Sequence, residues 1–214
     1  SWSLRGWLVL KQFGISFEEI RLPLYSDVFK EKIKDYSPTG LVPTLVSGDL
    51  SIWDSLAICE YIAEQHPELN CWPEDVQARA IARSISNEMH SGFSQIRNTL
   101  PMNIRRNKAI DTISADLAKE IGRVCEIWQT CRQFYAGGGD FLFGRFTIAD
   151  VMYAPVVLRF KSYLIEVGDI EGGNQRARVR MLPIKQFSLQ EILTDQLREC
   201  FAGVELQVVR AGAV

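Results

Sequence analysis

The chain has 214 residues, 47% of them apolar and 23% charged, with a formal net charge of −2. That length and balance suit one large or two small globular domains whose core needs no disulfides. A pI near 5.8 excludes the extended basic face that nucleic acid demands, and no apolar run is long enough to span a bilayer. The short run Arg176-Ala177-Arg178-Val179-Arg180 reads as a solvated loop or helix start. Five scattered cysteines, Cys59, Cys71, Cys125, Cys131 and Cys200, fit a reducing compartment and read as core or near-core thiols rather than metal ligands. The expectations are no metal, no nucleic acid, no membrane and a cytoplasmic location.

The first third alternates helix and strand signals. Residues 4–13 form a short apolar helix stopped by Gly14. In residues 17–22, Ile20 and Leu22 alternate with Glu19 and Arg21, as in a half-buried strand. A charged helix follows over 27–36. Short strands at 43–46 and 51–53 flank the turn Ser47-Gly48-Asp49, and a helix spans 54–65. The order αβαββα lacks only an opening strand. A parallel pair needs a helical crossover, so the reading expects about ten further residues ahead of Ser1, the length of a short strand and its lead-in.

Residues 66–73, HPELNCWP, form a polar, proline-bounded connection. The expected division is a thioredoxin-like domain over 1–66, a linker over 67–73 and an all-helical domain over 74–214. In the last, Ala78, Ile81, Ala82, Ile85 and Met89 recur at helical spacing, as do Ile113, Leu117, Ile121, Val124 and Trp128. Pro101 is expected to break the first of these helices and Gly137-Gly138-Gly139 to end the second; a third begins at Thr147.

Four local features bear on chemistry or folding. Ser1-Trp2-Ser3-Leu4-Arg5 opens the first helix, where hydroxyls and the helix dipole stabilise an anion such as a thiolate, or simply cap the helix. Leu41-Val42-Pro43-Thr44 opens a strand. A cis Val42–Pro43 bond would turn the Val42 backbone outward to pair with an extended peptide, whereas a trans bond would only begin an edge strand. Trp53-Asp54-Ser55 starts the next helix, offering N–H groups and a hydroxyl to a carboxylate and the Asp carboxylate to an amine, or again a cap. Phe146-Thr147-Ile148-Ala149-Asp150-Val151 reads as a variant capping box with a hydrophobic staple, a folding motif without chemistry.

In this order and spacing the four features resemble the glutathione transferase superfamily. SWSLRGWLVLKQFGISFEEIRLPL looks like its first helix and second strand, SPTGLVPTL like its cis-Pro strand, WDSLAICEYIAEQHPE like its third helix, and FTIADVMYAP like its sixth-helix capping box. The resemblance runs from residue 1 to about 161 and is closest to the serine-type bacterial branch with zeta-like members. It weakens after Leu164, returning in part at Met181-Leu182-Pro183.

The resemblance implies glutathione as co-substrate, with no metal or prosthetic group. Val42, with Pro43 cis, would pair with the cysteinyl backbone; Asp54 and Ser55 would hold the γ-glutamyl head; Leu41 could offer backbone where many relatives carry a Lys. The family's catalytic serine aligns just before Ser1, so Ser1, its neighbour, is assigned the thiolate, with Ser3 the alternative. Ser86, Met89, His90, Phe93 and Arg97 share a broad face of the fourth helix by spacing. Trp2, Met89, His90 and Phe93 are the expected electrophile pocket, although an inert, hydrogen-bonded His90 and a core Trp2 are equally ordinary roles.

The activity implied is conjugation or addition of the glutathione thiolate to small apolar electrophiles, as in detoxification, by a homodimer. The alternatives are a glutathione-dependent isomerase or peroxidase, or a non-catalytic binding module, which Leu41 favours. A disulfide oxidoreductase would need a cysteine where Ser1 and Ser3 stand.

Overall fold

The computed structural model describes residues 1–165 and the backbone of residues 205–211. The arginine run at 176–180, the Met181-Leu182-Pro183 stretch and Cys200 lie outside the described residues. The described chain forms two compact units, one from Ser1–Trp72 joined by the late strand, the other beginning at Pro73.

In the first unit, α1 spans Trp2–Gln12, two residues earlier than the apolar spacing indicates. It ends where Gly14, at φ +71°, lets the chain turn and Ile15 N–H reach Leu10 C=O. Strand β1 spans Phe17–Pro23. Helix α2, Asp27–Lys32, is capped by Ser26, whose hydroxyl accepts from Phe29 N–H. It tightens into a 3-10 turn at Ile33–Asp35 instead of running on to residue 36. Pro38 explains the early stop, because it disfavours helical geometry at the residue before it. Strands β2, Thr44–Ser47, and β3, Leu50–Trp53, form a hairpin, and α3 follows at Ser55–Gln65.

The sheet order is β1-β4-β2-β3, and β4, Glu205–Ala211, is the finding the sequence pattern did not anticipate. The slot between β1 and β2, expected to hold a strand ahead of Ser1, is filled from the far end of the chain. β4 runs antiparallel to β1, from Phe17↔Ala211 to Pro23↔Glu205, and parallel to β2, from Thr44↔Val208 to Ser47↔Ala211. A strand arriving this way is free of the parallel, right-handed crossover rule that governs a strand leading into α1. Without it, facing edges of β1 and β2 would leave a row of backbone donors and acceptors unmet. Val208 and Val209 suit an extended chain, although residues 205–211 fall within the expected all-helical domain over 74–214.

One sheet face is covered by α2 and its 3-10 turn, where Leu22 and Ile33 pack with Ile20, Phe29, Tyr36 and Val46. On the other, α1 and α3 lie against each other and against β2, over the fully buried Leu45.

The second unit is built from α4, Val76–Ser91; α5, Ser94–Thr99; α6, Ala115–Tyr135; and α7, Ile148–Ser162. The break in the first helix comes well before Pro101. Gly92 sits where a Cβ would stand 2.8 Å from Glu88 C=O, and Phe93 takes φ 58°. Phe93 and Arg97 therefore do not share a face of α4 with Met89 and His90. Ile113 is likewise outside α6 and exposed, because Ser114 caps that helix by accepting from Leu117 N–H.

Helix α7 is buried along almost its whole length. Trp128 on α6 meets its Tyr153 and Phe160, both at 5.9 Å between ring centroids. Arg159, 5% exposed, donates to the Arg97 and Leu100 carbonyls at the end of α5, and burial lowers its pKa to about 10. The capping box forms as read. The Asp150 carboxylate accepts from Thr147 N–H at 2.9 Å and Thr147 Oγ1–H at 3.0 Å, and its other oxygen accepts from Leu142 N–H at 3.1 Å. Phe146 packs edge-on to Phe141. No described helix is long and apolar enough to cross a membrane.

Burial pushes the Asp150 carboxyl up to about 6 against these hydrogen bonds, from an unfolded value near 3.9. The folded state then binds more proton than the unfolded between those values, so this group's contribution is greatest below pH ~4 and is lost as pH rises through ~6. Asp150→Asn should flatten that part of the stability–pH curve, and Asp150→Ala should cost about 2–4 kcal/mol at any pH by stranding three buried donors; urea melts of the three proteins from pH 4 to 7 measure both.

Candidate functional site

In the first unit, three lines of chain converge beside Gly6. A Cβ there would stand 3.3 Å from Pro43 Cβ and 3.6 Å from Ile58 Cδ1. Helix α1, the entry to β2 and helix α3 therefore meet at van der Waals distance.

The Val42–Pro43 bond is cis. Pro43 is buried, Val42 half-buried and Leu41 67% exposed. The turn before them is tied by Leu41 N–H donating to Thr39 Oγ1 and Thr44 Oγ1–H donating to Leu41 C=O. Val42 precedes the β2–β3 ladder, which opens at Thr44.

Asp54 caps α3 at φ 77°, its Oδ1 accepting from Leu56 and Ala57 N–H. One carboxylate oxygen thus serves the helix, and the cap reading is realised. Ser55 is 1% exposed and its Oγ has no hydrogen-bond partner among the described residues. Such an atom costs about 1–3 kcal/mol unless something else satisfies it.

At the start of α1, Ser1 is the N-cap residue but its hydroxyl makes no capping bond. Trp2 is half-buried, with the Arg5 guanidinium 4.6 Å from its ring centroid. Ser3 is fully buried and its Oγ also has no partner among the described residues. The candidate residues at the two helix starts and the strand entry thus belong to the three elements that meet at Gly6.

Met89, His90 and Phe93 belong to the second unit. Met89 is buried, its carbonyl accepting from Arg97, and His90 is half-buried. Phe93 lines a cleft of about 410 Å³ with Glu88, Gln95, Asp116, Lys119 and Arg123. Most of the residues lining that cleft are charged, and Arg123 is held there by both Glu88 oxygens and by Glu126.

The thiols supply no competing chemistry. Burial pushes Cys59 far up, Cys125 to about 11 and Cys131 to about 12, so all three stay protonated near neutral pH. No group of three or more metal-ligating side chains occurs among the described residues.

Residues 1–65 match the model of the glutathione S-transferase N-terminal domain. The maleylacetoacetate isomerase of Mus musculus is 38% identical over 171 residues, 78% of this chain and 76% of that protein. The chain belongs to the glutathione S-transferase superfamily. A probable maleylacetoacetate isomerase of Caenorhabditis elegans is 36% identical over 108 residues, half of each chain. A solved glutathione transferase homologue from Burkholderia, with bound glutathione, covers 92% of this chain and is covered over 89% of its own, at a TM-score of 0.59 and 20% identity. That last likeness supports the transferase fold: a thioredoxin-like unit followed by helices.

The burial of Arg5 was not foreseen by reading motifs alone, although it is the one charged residue in the apolar run SWSLRGWLVL. The convergence at Gly6 is directly testable. Gly6→Val should overpack the contact with Pro43 and Ile58, lower stability by about 1–3 kcal/mol, and weaken glutathione binding in calorimetry far more than an equally destabilising change at Trp128 in the second unit.

Proposed function

We propose that the first unit binds glutathione along the start of α1, the Val42 strand entry and the start of α3, and that the enzyme adds its thiolate to a small electrophile. The convergence of these three elements at Gly6 carries this reading, because it gathers complementary groups for one extended, zwitterionic peptide. The Val42 backbone would pair with the cysteinyl unit, as in strand addition. The Ser55 hydroxyl and the N–H groups of α3 suit the γ-glutamyl carboxylate. The Asp54 oxygen not engaged in capping suits its amine, and exposed Leu41 offers backbone toward the glycyl end. The thiol would then lie at the start of α1, where Ser1 donates to the sulfur anion and the helix dipole favours it. Ser3 is the alternative donor.

The reaction is nucleophilic. The sulfur lone pair forms a bond to an electrophilic carbon, and either a leaving group departs or a conjugated double bond takes up the electrons. The names of the mouse and nematode relatives favour a second outcome on the same site. There the thiolate adds to a conjugated cis double bond, the resulting single bond rotates, and elimination regenerates glutathione with the trans isomer. We further read the enzyme as a cytoplasmic homodimer, with Trp2 toward the electrophile.

Calorimetric titration with glutathione tests the binding step. Saturable binding is expected, and Ser55→Ala should weaken it about tenfold, the worth of one hydrogen bond to a charged group. Absence of binding in the unaltered protein rejects the proposal. Turnover is followed with an aromatic halide and, separately, with maleylacetoacetate. Consumption of glutathione marks the transferase and its regeneration the isomerase. Ser1→Ala should lower either rate 10- to 100-fold, and full activity in that variant would move the role to Ser3 or to a hydroxyl ahead of Ser1.

A further inference from the structure

Leu41 is 67% exposed, and the donors of the turn that carries it are engaged within the chain. Pro38 has no N–H. Ser37 N–H donates to Ile33 C=O, Gly40 N–H to Ser37 C=O, and Leu41 N–H to Thr39 Oγ1 at 3.3 Å. The Ser37 and Thr39 hydroxyls share a hydrogen bond with each other. The Leu41 carbonyl accepts from Thr44 Oγ1–H, and a carbonyl oxygen keeps a second lone pair. At Leu41 the turn therefore offers a ligand an acceptor and an apolar side chain.

The charges around it do not alter that. No residue from 36 to 48 is charged, and β3 and α3 carry no basic residue. Lys32 and Lys34, the nearest lysines earlier in the chain, are exposed and stand between Glu31 and Asp35. Solvated ammonium groups of that kind hold an anion weakly. On β4, Arg210 is opposite Val46, beyond the entry to β2. The acidic Glu205 lies at the entry end, three residues ahead of Val208, the partner of Thr44.

In the glutathione reading, the γ-glutamyl head lies at the start of α3 and the cysteinyl unit at Val42. An extended tripeptide then carries its glycyl unit to the other side of Val42, over the turn at 37–41. A carboxylate is held by donors or cations, and Leu41 presents neither.

We propose that the glycyl carboxylate goes unread, and that Leu41 makes the site accept tripeptide thiols whose glycyl end is capped as a neutral amide or alkyl ester as readily as glutathione itself. This rests on the glutathione reading above. A carboxylate left in water adds nothing to binding, so masking it loses nothing. The N–H of an amide cap suits the Leu41 carbonyl, and the alkyl group of an ester lies against the Leu41 side chain. Recognition is left to Val42, Asp54 and Ser55.

Calorimetric titration of the full chain with glutathione and with its glycyl amide tests this, alongside kcat/KM for conjugation of an aromatic halide by each thiol. The two dissociation constants should agree within about threefold, and so should the two kcat/KM values. A larger loss for the amide, with glutathione bound, overturns this inference and leaves the glutathione reading standing. Leu41→Lys puts an ammonium at the exposed position and should create discrimination: about fivefold tighter binding of glutathione at low ionic strength, with the amide unchanged, an advantage that salt removes. A Leu41→Lys protein that treats the two thiols alike shows that residue 41 does not face the glycyl end, and the inference falls. Failure of the unaltered protein to bind glutathione overturns the underlying reading, and this inference with it.

Discussion

Gly6 is the position at which the first unit is drawn tight. Its missing side chain lets α1 settle against the Pro43 ring and the Ile58 methyl at van der Waals distance. Dispersion falls off steeply over fractions of an ångström, so this contact fixes how far the starts of α1 and α3 stand from the strand that enters β2. The buried faces of α1, with Leu4, Trp7, Leu8, Val9 and Leu10, and of α3, with Ile58 and Ile62, supply most of the hydrophobic stabilisation. Gly6 determines the geometry in which it is gained. The glutathione site proposed above depends on that spacing being rigid.

The interior charges of the second unit hold its elements in place: Asp150 closes the start of α7 by accepting from Thr147 and Leu142, and Arg159 ties down the end of α5 by donating to its carbonyls. Replacing either leaves buried donors or carbonyls unmet, which explains their cost without any chemistry. In the first unit Arg5, similarly buried, lies against the Trp2 ring at the start of α1.

Elements specified by adjacent residues were legible from sequence. The Thr147–Asp150 box, the β2–β3 hairpin around Gly48 and α3 behind Asp54 each rest on side chains within four positions of the feature they create. The break at Gly92–Phe93 was not legible, because apolar spacing continues through it while the real determinant is a close approach to the Glu88 carbonyl. Met89, His90 and Phe93 looked like one helical face for the same reason. The order of α1, Val42–Pro43 and Asp54–Ser55 is what marked these residues as a candidate site. The depth of Arg5 did not show, because burial of a charged side chain is decided by tertiary packing. β4 was invisible for a different reason: nothing in ELQVVRA says which edges it will meet.

That strand has a consequence for how the protein comes into being. Its partners, β1 and β2, leave the ribosome well over a hundred residues before it does. During that interval the facing edges of β1 and β2 lack β4, the strand that pairs with both. The helices from α4 to α7, with their largely local contacts, are made and can pack in the meantime. The sheet then closes last, by the longest-range pairing in the molecule, which loop-closure entropy makes slow. Until that closure, the growing chain presents open strand edges to its neighbours on the same polysome, and chaperones that shield such edges matter more to its yield than the stability of the finished fold.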